Sequence, residues 1–511
     1  MNIKNIITNY WQEKPLLSIL IASGFFRLLA VLFSKGFGMF DDHFLVIEAA
    51  QSWVDGTDYN DWIPGITKTV THPSGHPLLY PGLHYLFFRF LQAIGIFDPQ
   101  IKMYIVRFLL AVYSMSIVYF GYKTAERLSG IKAAKTIGLL LGLLWFMPNI
   151  SVRNLVEFSC IPPLMYATWL VIKNEGKGKL TPFLFIGFLL GLAFNIRFQT
   201  VTFIGGFGLA MLLMKKWKEC ILIIIGFLLC IAIVQACTDM VIWKKPFMEL
   251  TEYIRYNMEN ATTYGVQKWY NYFLLLGGIL IPPISLFIFF GFGYSVLIDR
   301  KKYLILFLPA FLFFVSHSTF PNKQERFIFP AIPFIITLGY IGWAEFQNRS
   351  LFWQRNTKLL RACWIFFWIL NCIPLAVVSV SYSKRSRVES MVYLSHKTDI
   401  RYIMIEETQH ENNMQAPLFY LRKWGHVFEL NKNYPLDSFK VHEMTNPVSQ
   451  RPNYIIFVQE DNIEKRISDM KTVFPKLSYE TTVEPGFLDK FMHTINPKNT
   501  NYTCYIYSTN E

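Results

Sequence analysis

The chain has 511 residues, 53% of them hydrophobic and only 16% charged, with 47 Phe and 13 Trp. So few charges over this length exclude an ordinary soluble globular chain. The formal net charge of +14 does not point to nucleic acid, because many Lys and Arg lie in short loops between apolar runs, where they set membrane topology.

The first predicted element is the apolar run 16–34, close to the ~20 residues that cross a bilayer. It follows Lys4 and Lys14 and shows no small-residue cleavage site, so a retained span is expected rather than a signal peptide. Further spans are expected at about 102–122, 134–149, 158–173, 181–196, 199–214, 219–241, 271–297, 303–316, 327–344 and 362–381, making about eleven. Some are short enough for re-entrant or broken helices. With the N-terminus inside, each short inner loop is basic. These loops carry Lys123, Arg127, Lys132 and Lys135; then Lys173, Lys177 and Lys179; then Lys215, Lys216 and Lys218; then Arg300, Lys301 and Lys302; and last Arg349, Arg355, Lys358 and Arg361.

Three outer segments are longer than connectors need. The first, 34–100, holds the amphipathic stretch Phe44 to Val54 and the apolar run Leu83 to Ile96, both suited to the membrane surface. The second, about 242–270, carries Trp243, Lys244, Lys245, Tyr253, Arg255 and Tyr256. The third, from about Ser383, has β-rich runs at 402–405, 454–458 and 504–507 and a helical run near 462–474. The expected division is a transmembrane catalytic domain, 1–382, and a small extramembrane α/β domain, 383–511. Six of the seven cysteines lie in or beside apolar runs and no CxxC pair occurs, so packing is their expected role.

The polar clusters that can do chemistry all fall on the outer face. Asp41, Asp42 and His43 follow the first span, and a positioned carboxylate there can take the proton of an acceptor hydroxyl; a solvated helix cap or a divalent-metal site fits the same residues. Glu48 shares a helical side with His43. His72-Pro73-Ser74-Gly75-His76-Pro77 reads as a stiff turn, because its prolines disfavour a helical His pair that would bind metal. Arg153, Asn154 and Glu157 open the fourth span. At i, i+4, Arg153 and Glu157 would face each other on a helix, either as an orienting ion pair or with the Arg turned into a cavity. Arg197 ends the fifth span. Lys323, Glu325 and Arg326 open the tenth, just after Ser316-His317-Ser318. Cations at one depth suit a phosphate or pyrophosphate, since Arg offers forked donors; lipid headgroups are the competing ligand.

These residues, in this order, resemble the polytopic GT-C glycosyltransferases, most of all the glycosyltransferase 22 family of GPI and lipid-linked oligosaccharide mannosyltransferases. The resemblance covers roughly 15–345. Phe40-Asp41-Asp42-His43-Phe44 stands where that family has an Asp-Glu motif and an aromatic, with Asp in the second acidic position. His76-Pro77-Leu78-Leu79-Tyr80-Pro81 is similar to its Arg-Ser…Pro segment, and Arg153-Asn154…Glu157 to its Arg…Asn…Glu signature in compressed form. Arg197 follows the Gly-rich fifth span as the family's Arg does. Asn322-Lys323-Gln324-Glu325-Arg326-Phe327 resembles its His-Lys-Glu-x-Arg-Phe string, with Asn and Gln in place of His and Glu.

The resemblance implies a GT-C fold and direct inverting transfer of a sugar, expected to be mannose, from a polyprenyl-phosphate donor to a glycan or lipid-linked acceptor. It implies Asp41 as general base with Asp42 in support, and neither metal nor nucleotide cofactor. Arg197, Lys323 and Arg326 then hold the donor phosphate, and His43, Glu48, His76, Arg153, Asn154, Glu157 and Glu325 shape the site. A polytopic transporter or lipid-carrier flippase is the alternative, but it would place charges at mid-membrane and show repeated halves, and no repeat is visible. A metal-dependent phosphoethanolamine transferase would need an Asp/His-rich soluble domain, whereas His396, His410, His426, His442 and His493 are scattered. Sequons at Asn260 and Asn501 matter only in a eukaryotic lumen; the departures from the family string favour a bacterial inner membrane with a periplasmic site, and an ER membrane applies in a eukaryotic host.

Overall fold

The computed structural model describes residues 10–510 except 67–69, 264, 412–413, 426, 443–446, 498 and 500–501. Lys4, His426 and Asn501 therefore lie outside the described residues. The chain forms two compact units: one of residues up to Val31, Asp61–Leu83 and Val106–Ser379, the other of Leu32–Asn60, His84–Ile105 and Val380 onward. The expected single boundary at 382/383 differs from this division, since two stretches of the long first loop join the C-terminal unit.

The first unit is helical, and its helices are built for lipid. Helix Pro15–Phe33 buries Ile19, Ser23, Arg27 and Ala30 and exposes Ile21, Phe25 and Leu28. Its polar groups face inward, the reverse of a helix in water. Arg27 donates to Ser114 Oγ at 2.9 Å and to Gly142 O at 3.0 Å, which gives part of its buried guanidinium polar partners within the bundle. Among the described residues, six helices are long and apolar enough to cross a membrane: Pro15–Phe33, Pro99–Ser129, Trp217–Ile242, Arg300–Thr319, Glu325–Arg349 and Thr357–Ser379. Shorter apolar helices include Thr181–Ile196, Phe198–Leu213 and Ile284–Ile298.

Small residues let backbones meet. A Cβ on Gly187 would lie 2.0 Å from Ile223 O, and one on Gly226 would lie 2.0 Å from Leu184 O. Helices Thr181–Ile196 and Trp217–Ile231 thus touch main chain to main chain, the usual solution where lipid removes the hydrophobic drive for association. This contact fixes the end of the first helix, where Arg197 leaves in extended geometry (φ −150, ψ 107).

Two expected helices are broken. The run 271–297 is two helices, Asn271–Ile279 and Ile284–Ile298. Pro282 and Pro283 lie between them; neither can donate a helical hydrogen bond, and each biases its predecessor away from helix. The run 134–149 stops at Leu143 and resumes as the short helix Met147–Ile150. Asn371 mends that gap, accepting from Trp145 N at 2.9 Å and donating to Leu143 O at 2.8 Å.

The second unit holds a five-stranded sheet of β1 (Tyr402–Glu406), β2 (Val427–Leu430), β3 (Pro452–Val458), β4 (Ser478–Val483) and β5 (Cys504–Ser508), in the order β2-β1-β3-β5-β4. β2 and β3 flank β1 in parallel, while β5 runs antiparallel to β3 and β4. Central β3 is buried along its whole length, which explains its continuous Tyr-Ile-Ile-Phe-Val run. β2 and β4 escape sequence reading because one is four residues long and the other, Ser-Tyr-Glu-Thr-Thr-Val, has little apolar pattern. Arg466 clips the ends of β1 and β3, donating to Glu406 O and Val458 O, each at 2.9 Å.

Candidate active site

In the helical unit, three of the expected residues meet. Glu157 Oε1 accepts from an Arg197 terminal nitrogen at 2.7 Å and lies 3.3 Å from Arg326 Nε, and all three side chains are buried. Phe327 lies under both guanidiniums, 5.1 Å from Arg197 and 5.5 Å from Arg326. Arg197 also donates to Gln199 Oε1. Two cations thus surround one carboxylate, so positive charge exceeds negative among these three groups.

The expected helical pair Arg153–Glu157 takes a different form. Arg153 and Asn154 are buried in a turn, Leu155 is extended, and the short helix begins only at Val156. Pro162 and Pro163 occupy the first turn of the following helix, Ile161–Asn174, where missing N–H groups are tolerated; they place the helix start there and not at Arg153.

Lys323 is buried, but its Nζ donates to Gln267 O at 3.1 Å and to Phe320 O. Burial holds its ammonium below the ordinary range. Gln324 O accepts from Tyr272 OH at 3.0 Å, and Asn322 bridges to Val266. Glu325 is exposed. The string 322–327 is therefore clamped by its main chain, and Arg326 is the member that reaches Glu157.

The turn at 72–77 is held by Glu249, a residue the sequence reading passed over. Its Oε2 accepts from Ser74 Oγ at 2.8 Å, Gly75 N at 2.7 Å and His76 N at 3.3 Å, and its Oε1 accepts from Trp243 Nε1 at 2.9 Å. His72 is exposed, while His76 stacks on Trp62 at 4.8 Å. Further along, Ser159 Oγ donates to Tyr80 OH at 2.9 Å, two residues beyond Glu157. Glu249 opens helix Met248–Glu259, whose Tyr253 packs on Phe198. One side of the helical unit thus gathers the turn, Glu157, Arg197 and Arg326.

In the C-terminal unit, Asp41–His43 form a helical turn that runs into a π-helical segment, Phe44–Glu48. The wider turn aligns residues five apart. His43 Nε2 accordingly lies 2.9 Å from Glu48 Oε1. His43 is stacked between Phe37, at 4.7 Å, and Tyr420, at 5.4 Å. Glu48 also accepts from Phe419 N at 3.0 and 3.1 Å. Burial pushes the Glu48 carboxyl above its usual range, and the His43 contact pulls the other way. Asp42 is buried, with Oδ2 accepting from Gly38 N at 2.9 Å, whereas Asp41 is only half-buried. Of the two adjacent carboxylates, Asp41 is the one with solvent access.

The profile of the Alg9-like mannosyltransferase family matches residues 18–425. The chain belongs to that family. This mannosyltransferase is 25% identical over 421 residues to the GPI mannosyltransferase 3 of Debaryomyces hansenii, covering 78% of this chain and 71% of the relative. It is 24% identical over 322 residues to the protein of the same name from Saccharomyces cerevisiae, covering 58% and 50%. Among solved structures, ArnT from Cupriavidus metallidurans bound to undecaprenyl phosphate superposes with a TM-score of 0.55 at 12% identity, over 97% of this chain and 98% of that one. The Archaeoglobus fulgidus oligosaccharyltransferase gives 0.50 at 10% identity, over 88% and 69%. These two share the GT-C fold, so the mannosyltransferase is a multi-pass membrane enzyme of that class. The relatives matched in sequence are yeast proteins and lend no support to the bacterial inner membrane favoured from the motif departures.

Some polar groups of the mannosyltransferase carried a signal that went unread. Asp239 lies inside the apolar run 219–241, fully buried, and accepts from Glu249 N at 3.2 Å and Gln235 Nε2 at 2.9 Å. Ionisable residues within an apolar span are functional or structural by default. The same reasoning picks out Arg27 in the first span.

Proposed function

We propose that this mannosyltransferase moves mannose from a polyprenyl-phosphate donor to a hydroxyl of a glycolipid acceptor of the GPI type, on the face of the membrane away from the cytoplasm. The observation that carries the reading is the pair of buried arginines, Arg197 and Arg326, set around the single carboxylate of Glu157. Such a pair attracts an anion, and phosphate is the anion a lipid-linked sugar presents. The ArnT structure of like fold is bound to undecaprenyl phosphate, and the yeast relatives are named GPI mannosyltransferase 3, which supports the donor and acceptor classes. The basic inner loops support the orientation.

In the reaction, the acceptor oxygen forms a bond to the sugar's anomeric carbon as the bond from that carbon to the donor phosphate breaks. Attack from the opposite face inverts the centre. Asp41 takes the acceptor proton, and the polyprenyl phosphate leaves with its added negative charge stabilised by Arg197 and Arg326. Lys323 has three ammonium donors, two of them on carbonyls, and the third serves the same phosphate. Asp42 and the His43–Glu48 pair hold the base in place.

The test is mannose transfer from polyprenyl-phosphate-mannose by the purified protein in EDTA, with Asp41→Asn and Arg326→Met beside it. Wild-type turnover that is lost in Asp41→Asn supports the reading. Undiminished transfer by Asp41→Asn, or no turnover of polyprenyl-linked sugars by the wild type, rejects it.

A further inference from the structure

Helix Phe487–Ile495 has the wrong side out for a protein surface in water. Phe487, Phe491 and Ile495 recur at i, i+4 and i+8, so they form one stripe. Their exposures are 79%, 52% and 63%, and Met492 beside them is 42% exposed. The other side of the helix is pinned. Asp489 Oδ2 accepts from Lys384 N at 2.8 Å, and Asp489 O accepts from Asn499 Nδ2 at 3.0 Å. Gly486, immediately before the helix, sits so close to Tyr382 O that a Cβ there would approach it to 2.5 Å. The helix is therefore fixed in an orientation that leaves its apolar stripe outward, and a stripe of this kind marks an interaction surface.

The chain itself indicates what covers the stripe. Tyr382, which touches Gly486, comes three residues after Ser379, the end of the 23-residue apolar helix Thr357–Ser379. Three residues extend ~11 Å at most. The anchor points of the helix are thus joined by a short tether of chain to the end of a helix long and apolar enough to cross a membrane. Lys490, one turn along the helix from Phe487, is exposed and paired with Glu484. An apolar stripe on a short amphipathic helix, so close in the chain to an apolar span, suits the headgroup–acyl boundary. In the same unit, Leu86 and Phe90 are also exposed on helix Leu79–Ala93, as is Ile94 just beyond it.

We propose that helix Phe487–Ile495 is a membrane-surface anchor whose Phe487, Phe491 and Ile495 insert at the boundary between lipid headgroups and acyl chains, tying the C-terminal sheet unit to the bilayer. The proposal does not depend on the identity of the donor or acceptor.

The experiment places a photoreactive probe on the stripe as Phe491→p-benzoylphenylalanine in the full-length protein in its native membranes. Irradiation is expected to give phospholipid adducts on the 487–495 peptide, several-fold above those from the same probe at exposed Glu464. Crosslinks to a second copy or to another protein in place of lipid overturn the proposal, as does equal labelling at the two sites. As a second readout, Phe487→Ser/Phe491→Ser in nanodiscs is expected to raise amide exchange across 487–495 several-fold while helix Ile463–Lys471 is unchanged. Unaltered exchange at 487–495 also overturns it.

Discussion

Glu157 and Arg197 stand 40 residues apart in sequence and 2.7 Å apart in space, and Arg326 closes on the same carboxylate oxygen from a third segment. The three come from three chain segments, so their meeting fixes where the fourth, fifth and tenth expected spans end relative to one another. Removing one member of a buried ion cluster leaves its partners as uncompensated charges, at a cost of ~3–5 kcal/mol. Glu157→Ala is therefore expected to lower the melting temperature clearly and to weaken donor binding, as both guanidiniums lose their fixed orientation. Thermal unfolding and donor KM measured on one preparation check this. An unchanged melting temperature would show that the cluster does not organise this part of the fold.

The two adjacent aspartates should separate cleanly. Asp41 is half-buried and keeps access to solvent, while Asp42 is buried with its carboxylate on Gly38 N. Loss of a general base typically removes 10²–10⁴-fold of rate. Asp41→Asn is expected to lose about that much in kcat with its melting temperature intact. Asp42→Ala is expected to lose stability together with activity, because Gly38 N would lose its buried acceptor. Rate and melting curves for the two variants decide it; the reverse pattern would move the base to Asp42.

Much of this was legible in the chain because hydropathy and charge are local. The basic loops, the polar clusters at span ends and the β-rich C-terminal runs are each written in a few adjacent residues. Glu157 is the instructive case: its sequence neighbour Arg153 suggested a helical pair, but Pro162 and Pro163 delay the helix, and two distant arginines reach the carboxylate. Glu249 was missed for the same reason, since its donors Ser74, Gly75 and His76 lie far upstream and give no local pattern. The break in 271–297 was readable at Pro282-Pro283, but a hydropathy average hides it. The His43–Glu48 contact needed the π-helical turn, which no spacing rule for an ordinary helix supplies.

The His43–Glu48 pair makes a pH-dependent prediction. Burial raises the Glu48 carboxyl above the ordinary 4.5. A carboxyl whose folded value is raised contributes stability that is fully present below its unfolded value and is lost as pH rises through the folded one. Glu48→Gln removes that titration. The variant is expected to gain in melting temperature relative to wild type as pH climbs upward from about 4.5. Parallel melting curves for the two proteins across that range would show that Glu48 does not titrate with folding.

Glu249 is expected to control the turn at 72–77. Four donors converge on its carboxylate: Ser74 Oγ, Gly75 N, His76 N and Trp243 Nε1. A buried donor that loses its acceptor costs ~1–3 kcal/mol, so Glu249→Ala should loosen the turn and not merely weaken one contact. Gly75 rests on the Tyr253 backbone, where a Cβ would come to 3.2 Å, so the turn and helix Met248–Glu259 should loosen together. Tyr80, just beyond the turn, touches Ser159 two residues from Glu157, which gives the disturbance a short route to the arginine cluster. The expected outcome is faster amide exchange and earlier proteolysis over 70–77, accompanied by a fall in transfer rate. Glu249→Gln keeps one acceptor oxygen and should fall between wild type and alanine on both readouts. If Glu249→Ala frees the turn while transfer continues at the wild-type rate, the turn has no part in shaping the site.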